Sequence, residues 1–284
     1  MEAFDLGMIT LTRKPTGART SSMSLPEAVA WFAGEHHSDR PRCLSPVLHA
    51  AITVLGDRLA HPRLQQLKWL VPSLVGTAED GRDSVRSLLA VDWLVRVYTP
   101  AWLRVVPSLD LAAASLAEHA PISSVADAAD ALDAPLAAVR RAAWAAQVAV
   151  PGVLGGANAA DTPDTTDTRD PHRQAATVSL ALSALACDAA VAATLDVAPG
   201  FLPVCGKLRL AAEQAVLIAA RQLAGSPDPD DFGARVAALV APTADALDDA
   251  VIELLARLID ATAPPGQGWL AGDPVDAVKR YDGD

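Results

Sequence analysis

At 284 residues the chain exceeds the length at which a single hydrophobic core usually stops growing, so two domains are expected. Its 34 acidic side chains against 23 basic ones give a formal net charge of −11, and no Lys/Arg run is longer than the pair Arg140-Arg141. That balance argues against nucleic acid as a partner, because phosphate neutralisation dominates such affinity.

The hydrophobic fraction is 51% and the mean hydropathy +0.23, but the excess is mostly Ala and Val. The long uncharged run Ala142 to Ala160 is broken by Pro151, Gly152, Gly155, Gly156 and Asn158, so no membrane span is expected. The cysteines, Cys43, Cys187 and Cys205, are odd in number and spread over both halves, which suits a reducing cytoplasm better than a disulfide framework. Glu2 and Asp5 stand where a secretory leader needs a basic start, so no export is expected.

Residues 1–23 hold Pro15, Gly17 and a Thr/Ser cluster without helical or strand period, and are expected to form a mobile arm or a short strand-like lead. Ser24-Leu25-Pro26-Glu27 has capping-box spacing and opens a short helix through Val29, Trp31 and Phe32 that Gly34 ends. After the polar loop 35–44, Ser45-Pro46 starts a helix with Leu48, Ile52, Leu55 and Leu59 on one stripe. Pro62 begins another helix, expected to kink at Pro72 and stop at Gly76.

A long helix is expected from Gly81 to Tyr98, broken at Pro100, with shorter ones near 101–106 and 108–119. Asp127, Asp130 and Asp133 sit on a small alanine helix, and Pro135 begins a further helix carrying Arg140, Arg141 and Trp144. Residues 24–150 thus read as a Trp-containing helical array.

Residues 151–172, with Asp161, Asp164, Asp167 and Asp170 among Thr and Pro, read as a flexible linker. Residues 173–262 read as an alanine-rich helical bundle with helices over 173–195, 203–224 and 243–261, poor in aromatics and therefore in need of a partner surface. The tail 263–284 is expected to be disordered apart from Trp269. The fold class is all-α.

The densest chemical cluster is His36, His37, Asp39, Arg40, Cys43 and His49. Imidazole, carboxylate and thiolate can ligate zinc, and a cysteine with a lowered pKa can act as a nucleophile. The spacing fits no zinc pattern, His49 is expected to be carried off on the next helix, and a structural loop is the default; no metal and no cofactor are expected. Asp92 and Arg96, an i, i+4 pair in an apolar segment, form either a buried pair or a half-solvated stripe with Arg82, Arg86 and Trp93.

Asp245, Asp248, Asp249 and Glu253 superficially resemble the magnesium–diphosphate helix of terpenoid cyclases. A second metal motif is missing and aromatics make up only 4%, so the acids are expected to serve a helix N-terminus. No G-x-S-x-G, phosphate loop, H-E-x-x-H or paired C-x-x-C occurs.

The combination S-D-R-P-R-C-L-S-P-V, L-V-G-T and D-W-L-V-R resembles an uncharacterised bacterial family of helical proteins over about residues 24–105. The resemblance implies no activity, only that His37, Asp39, Cys43, Asp92 and Arg96 form one unit. The expected function is therefore non-enzymatic contact with a protein partner, as scaffold or adaptor, with homo-oligomerisation among the options. The alternative is a small-molecule-binding protein or enzyme with its site between the His36–Cys43 loop and the Asp92/Arg96 helix.

Overall fold

The computed structural model describes residues 6–17, 20–148, 175–176, 178, 184–195, 199–223 and 229–261, so the expected linker and tail lie outside the described residues. The fold is all-α, with one two-residue parallel ladder, β1 (Thr10–Leu11) beside β2 (Ser22–Met23). That ladder lies in the lead expected to form a mobile arm or a short strand, and it takes the second form. Ile9, Leu11 and Met23 are buried, and the Gln65 side chain grips the Leu11 backbone twice, accepting from its N–H at 2.9 Å and donating to its carbonyl at 2.8 Å.

Ser24 and Glu27 close the capping box of α1 (Leu25–Phe32), and Gly34, at φ +74°, turns the chain out. Ser45 caps α2 (Pro46–Arg58), whose Leu48, Ile52 and Leu55 are buried along one face. The Pro62 helix divides into α3 (His61–Gln66), a tight turn at Leu67–Leu70 and α4 (Val71–Leu74), because Pro72 withholds a donor; Gly76, at φ +83°, then reverses the chain.

From α5 (Asp83–Trp93) the chain passes through one wide π turn, Leu94–Tyr98, directly into α6 (Thr99–Leu103). The expected break at Pro100 is thereby avoided. A regular turn would set the proline ring against the carbonyl four residues back; the wider turn instead lets both the N–H and the hydroxyl of Thr99 donate to the Leu94 carbonyl.

After α7 (Asp110–Ala117), α8 (Val125–Val148) runs through Pro135 and joins two helices that sequence signals separate. The alanine-rich part contributes α9 (Leu185–Leu195), α10 (Leu202–Gln222) and α11 (Pro229–Asp260), the last running through Pro242.

These later helices do not stand apart. α9 lies on α2 and α5, α10 on α8 and α6, and one core runs from Ile9 to Leu258. Alanines at positions 186, 189, 190 and 193 of α9 are buried, which lets backbones approach closely enough for the Ser87 hydroxyl to donate to the Ala193 carbonyl at 3.0 Å. Trp93, Tyr98 and Trp102 form the aromatic centre, with successive ring centroids 6.1 and 6.3 Å apart.

Candidate functional site

The loop after α1 is fastened by a residue that residue-type reasoning passed over. Glu35 accepts from the Arg42 and Cys43 N–H groups, each at 2.8 Å, while the Cys43 carbonyl accepts from Gly76 at 3.0 Å and Ala78 at 3.1 Å. The Cys43 thiol is pushed up to about 11, first by burial and then by the neighbouring Glu35 carboxylate. A thiol raised in this way is a poor nucleophile near neutral pH. Glu35 itself lies below the usual carboxylate range, because the Arg42 and Cys43 donors outweigh the effect of burial.

Asp39 and Arg40 are exposed, and the Arg40 N–H reaches the Ser38 hydroxyl at 3.0 Å. His49, expected to be carried away by α2, instead sets Nε2 2.8 Å from the Asp39 carbonyl and closes the loop. His37 turns the other way, with Nε2 3.0 Å from the buried carboxylate of Glu27. Burial pushes Glu27 up, but N–H donors from Ser24, Thr16 and Gly17 outweigh it and hold the carboxyl below its ordinary value. Among the described residues no three His, Cys, Asp or Glu side chains converge as a metal site.

Asp92 lies near the end of α5 and Arg96 in the π turn that follows. The fully buried Asp92 accepts from the Ile122 N–H at 3.0 Å and stands 3.7 Å from Arg96 Nη1, while Arg96 Nε reaches the Ala117 carbonyl at 3.5 Å. The pair ties the turn after α7 to the π turn. Removing one partner from such a buried pair costs about 3–5 kcal/mol. The half-solvated stripe is thus set aside for Asp92.

Arg86 is a second fully buried charge, its side chain at 0% exposure. Its Nε donates to the Leu258 carbonyl at 2.8 Å, Nη1 donates to Asp80 at 2.8 Å and Asp83 at 2.9 Å, and Nη2 pairs with Asp80. Asp80 is held below its usual range chiefly by that guanidinium. Arg82 adds a bond to the Asp260 carbonyl at 2.7 Å, so two arginines satisfy the C-terminal carbonyls of α11.

Ser45 and Thr77 continue the same network. The Ser45 hydroxyl donates to Asp83, its N–H donates to Thr77 Oγ1 at 3.0 Å, and the Thr77 hydroxyl donates to the Leu74 carbonyl at 2.8 Å. The serine of S-P-V and the threonine of L-V-G-T are therefore joined by architecture. Arg86 spends its donors inward and offers none to a ligand.

The acidic run on α11 also has a structural owner. Because α11 begins at Pro229, Asp245 and Asp248 lie mid-helix and not at the expected N-terminus. Arg63 of α3 gathers them, with Nη1 3.3 Å from Asp248 and 3.7 Å from Asp245, and Nε 3.0 Å from Asp249.

One side of α8 faces outward, as do Trp69, Leu111 and Leu210 elsewhere on the surface. Asp130, Asp133, Ala134, Arg140, Arg141 and Trp144 are exposed, and Trp144 keeps 70% of its surface accessible. No family model, curated protein or solved structure matches this chain.

Proposed function

We propose that the protein is a non-enzymatic helical scaffold or adaptor of the cytoplasm, acting through a protein contact made by the outward side of α8. The observation that carries the reading is Trp144, exposed beside Arg140 and Arg141. Trp and Arg dominate the energetics of protein interfaces, and a largely bare indole on a helix face is apolar area awaiting cover. The polar groups that would make a catalytic or ligand site support the same reading by their occupations: Cys43 is a protonated thiol, and Arg86 and Asp92 bond to backbone. The three free cysteines and the net charge of −11 support an intracellular, non-nucleic-acid setting. No described helix is long and apolar enough to cross a membrane.

The alternative is a small-molecule site between the His36–Cys43 loop and Asp92/Arg96; the bonds named above take the loop to Gly76 and Ala78 and the pair to Ala117 and Ile122. The test is cross-linking of the full chain in its native lysate, read by mass spectrometry, for wild type and Trp144→Ala. Cross-linked peptides, to another protein or to a second copy, should map to α8 and fall at least tenfold in the variant. A wild-type chain with no cross-link on α8 sinks the proposal.

A further inference from the structure

The outward side of α8 has a pattern that suits one partner in particular. Asp130, Asp133, Ala137, Arg140 and Trp144 recur every three or four residues, so they share one stripe, and Arg141 borders it. The stripe is acidic at its start, small at its middle and cationic-aromatic at its end. From Asp130 to Trp144 it runs about 21 Å at roughly 1.5 Å per residue.

Two features of the spacing stand out. Asp133 has Leu136 and Ala137 at the positions where a helix would supply an i+3 or i+4 partner, and Arg140 and Arg141 look back on Leu136, Ala137 and Ala138. None of the ion pairs among the described residues uses Asp130, Asp133, Arg140 or Arg141. The helix dipole does not explain them either, because it acts within the first and last turns, whereas Asp133 and Arg140 lie well inside Val125–Val148.

The second feature is symmetry. Asp133 and Arg141 each lie four residues from Ala137, and Asp130 and Trp144 each lie seven residues from it. We infer that this face of α8 docks on the same face of a second copy, antiparallel, about a two-fold axis at Ala137. The axis brings Arg141 of each copy opposite Asp133 of the other, and each Trp144 opposite Asp130, whose carboxylate can accept from the indole N–H. Ala137 meets its own counterpart, and Ala134 lies opposite Arg140, so small side chains at the centre permit close helix approach. A two-fold contact of this kind is self-complementary, as an isologous interface requires.

The inference rests on the reading of this face as a contact surface and names its occupant. Sedimentation equilibrium of the full chain decides it. Wild type should sediment as a dimer, at twice the 29.4 kDa chain mass, and its association should weaken severalfold as added salt screens the exposed charges. Asp133→Arg places Arg against Arg at both ends and Arg141→Asp places Asp against Asp, so each variant alone should be monomeric with unchanged helical circular dichroism.

Mixed one to one, the two variants should form a heterodimer, because each pairing position then meets the opposite charge. Wild type that stays monomeric at the highest soluble concentration, or variants that dimerise as wild type does, would overturn the inference. If that monomer still gives Trp144-dependent cross-links to a different protein, the second copy is wrong and the contact reading stands. Absence of both sinks the two together.

Discussion

Asp248 shows how a side chain can be held against its own electrostatic preference. Burial pushes its carboxyl from the ordinary 3.8 up to about 6; Arg63 pulls it down, and Asp245 and Asp249 push it up again. A carboxyl whose folded pKa is raised contributes its stability fully below the unfolded value and loses it as the pH rises through the folded one. Asp248→Asn, which mimics the protonated acid, should therefore match wild type near about pH 3, below the unfolded value, and exceed it above about pH 7 by on the order of 1–3 kcal/mol. Urea titrations at the two pH values check this, and an equal difference at both would refute it. Glu27, held below its ordinary 4.5, has the opposite sign: its contribution is present above that value and lost as the pH falls through its lower folded pKa.

Residue-level legibility followed the range of the bond. The Ser24–Glu27 box and the Ser45 cap are local, so spacing revealed them. Glu35 to Cys43 is also nearly local, and an acid eight residues before a cysteine was a readable signal that attention to zinc ligands obscured. Arg86 to Leu258 spans 172 residues, and no wheel drawn on one helix can name that partner.

At the scale of the element, proline was the least faithful guide. Pro135 was expected to begin a helix and 243–261 to form a separate one, yet α8 and α11 continue through Pro135 and Pro242. Each proline removes one backbone bond, while the helix on either side buries a continuous face against the core, and the second term prevails. Pro100 met a third outcome, the π turn, which moves the clash out of register.

The lead strand was legible only as one of two options, for another reason. A two-residue ladder has no period to detect, and its outer edge is completed by a side chain, Gln65, and not by a neighbouring strand. Gln65→Ala should therefore cost about 1–3 kcal/mol by leaving the Leu11 N–H and carbonyl without partners. Hydrogen–deuterium exchange over residues 9–12 should accelerate at least tenfold while α10 keeps its protection. Unchanged exchange in the lead would mean that burial of Ile9 and Leu11 holds it without the glutamine.

For the whole molecule, the expectation of two domains came from length, and the need of the alanine-rich half for a partner surface came from its poor supply of apolar area. The structure meets that need within the chain. α9 presents buried alanines to α2 and α5, Asp188 pairs with Arg58 across the same seam, and Arg82 and Arg86 bind the end of α11. The surface that the second half required is the first half.

The consequence is mechanical as well as architectural. If one core spans both halves, damage in the seam must be felt on each side of it. Ala190, buried and without spare room, is the sharpest place to apply it: Ala190→Leu forces a larger side chain between close helices, at a cost of about 1–3 kcal/mol. In urea, the tryptophan fluorescence change, to which the buried Trp93 and Trp102 contribute, and far-ultraviolet circular dichroism should give one coincident transition in wild type, and both should move together in the variant. A variant whose tryptophan transition stays in place while part of the helical signal is lost at lower urea would show that the alanine-rich helices unfold on their own, and that the shared core does not couple them.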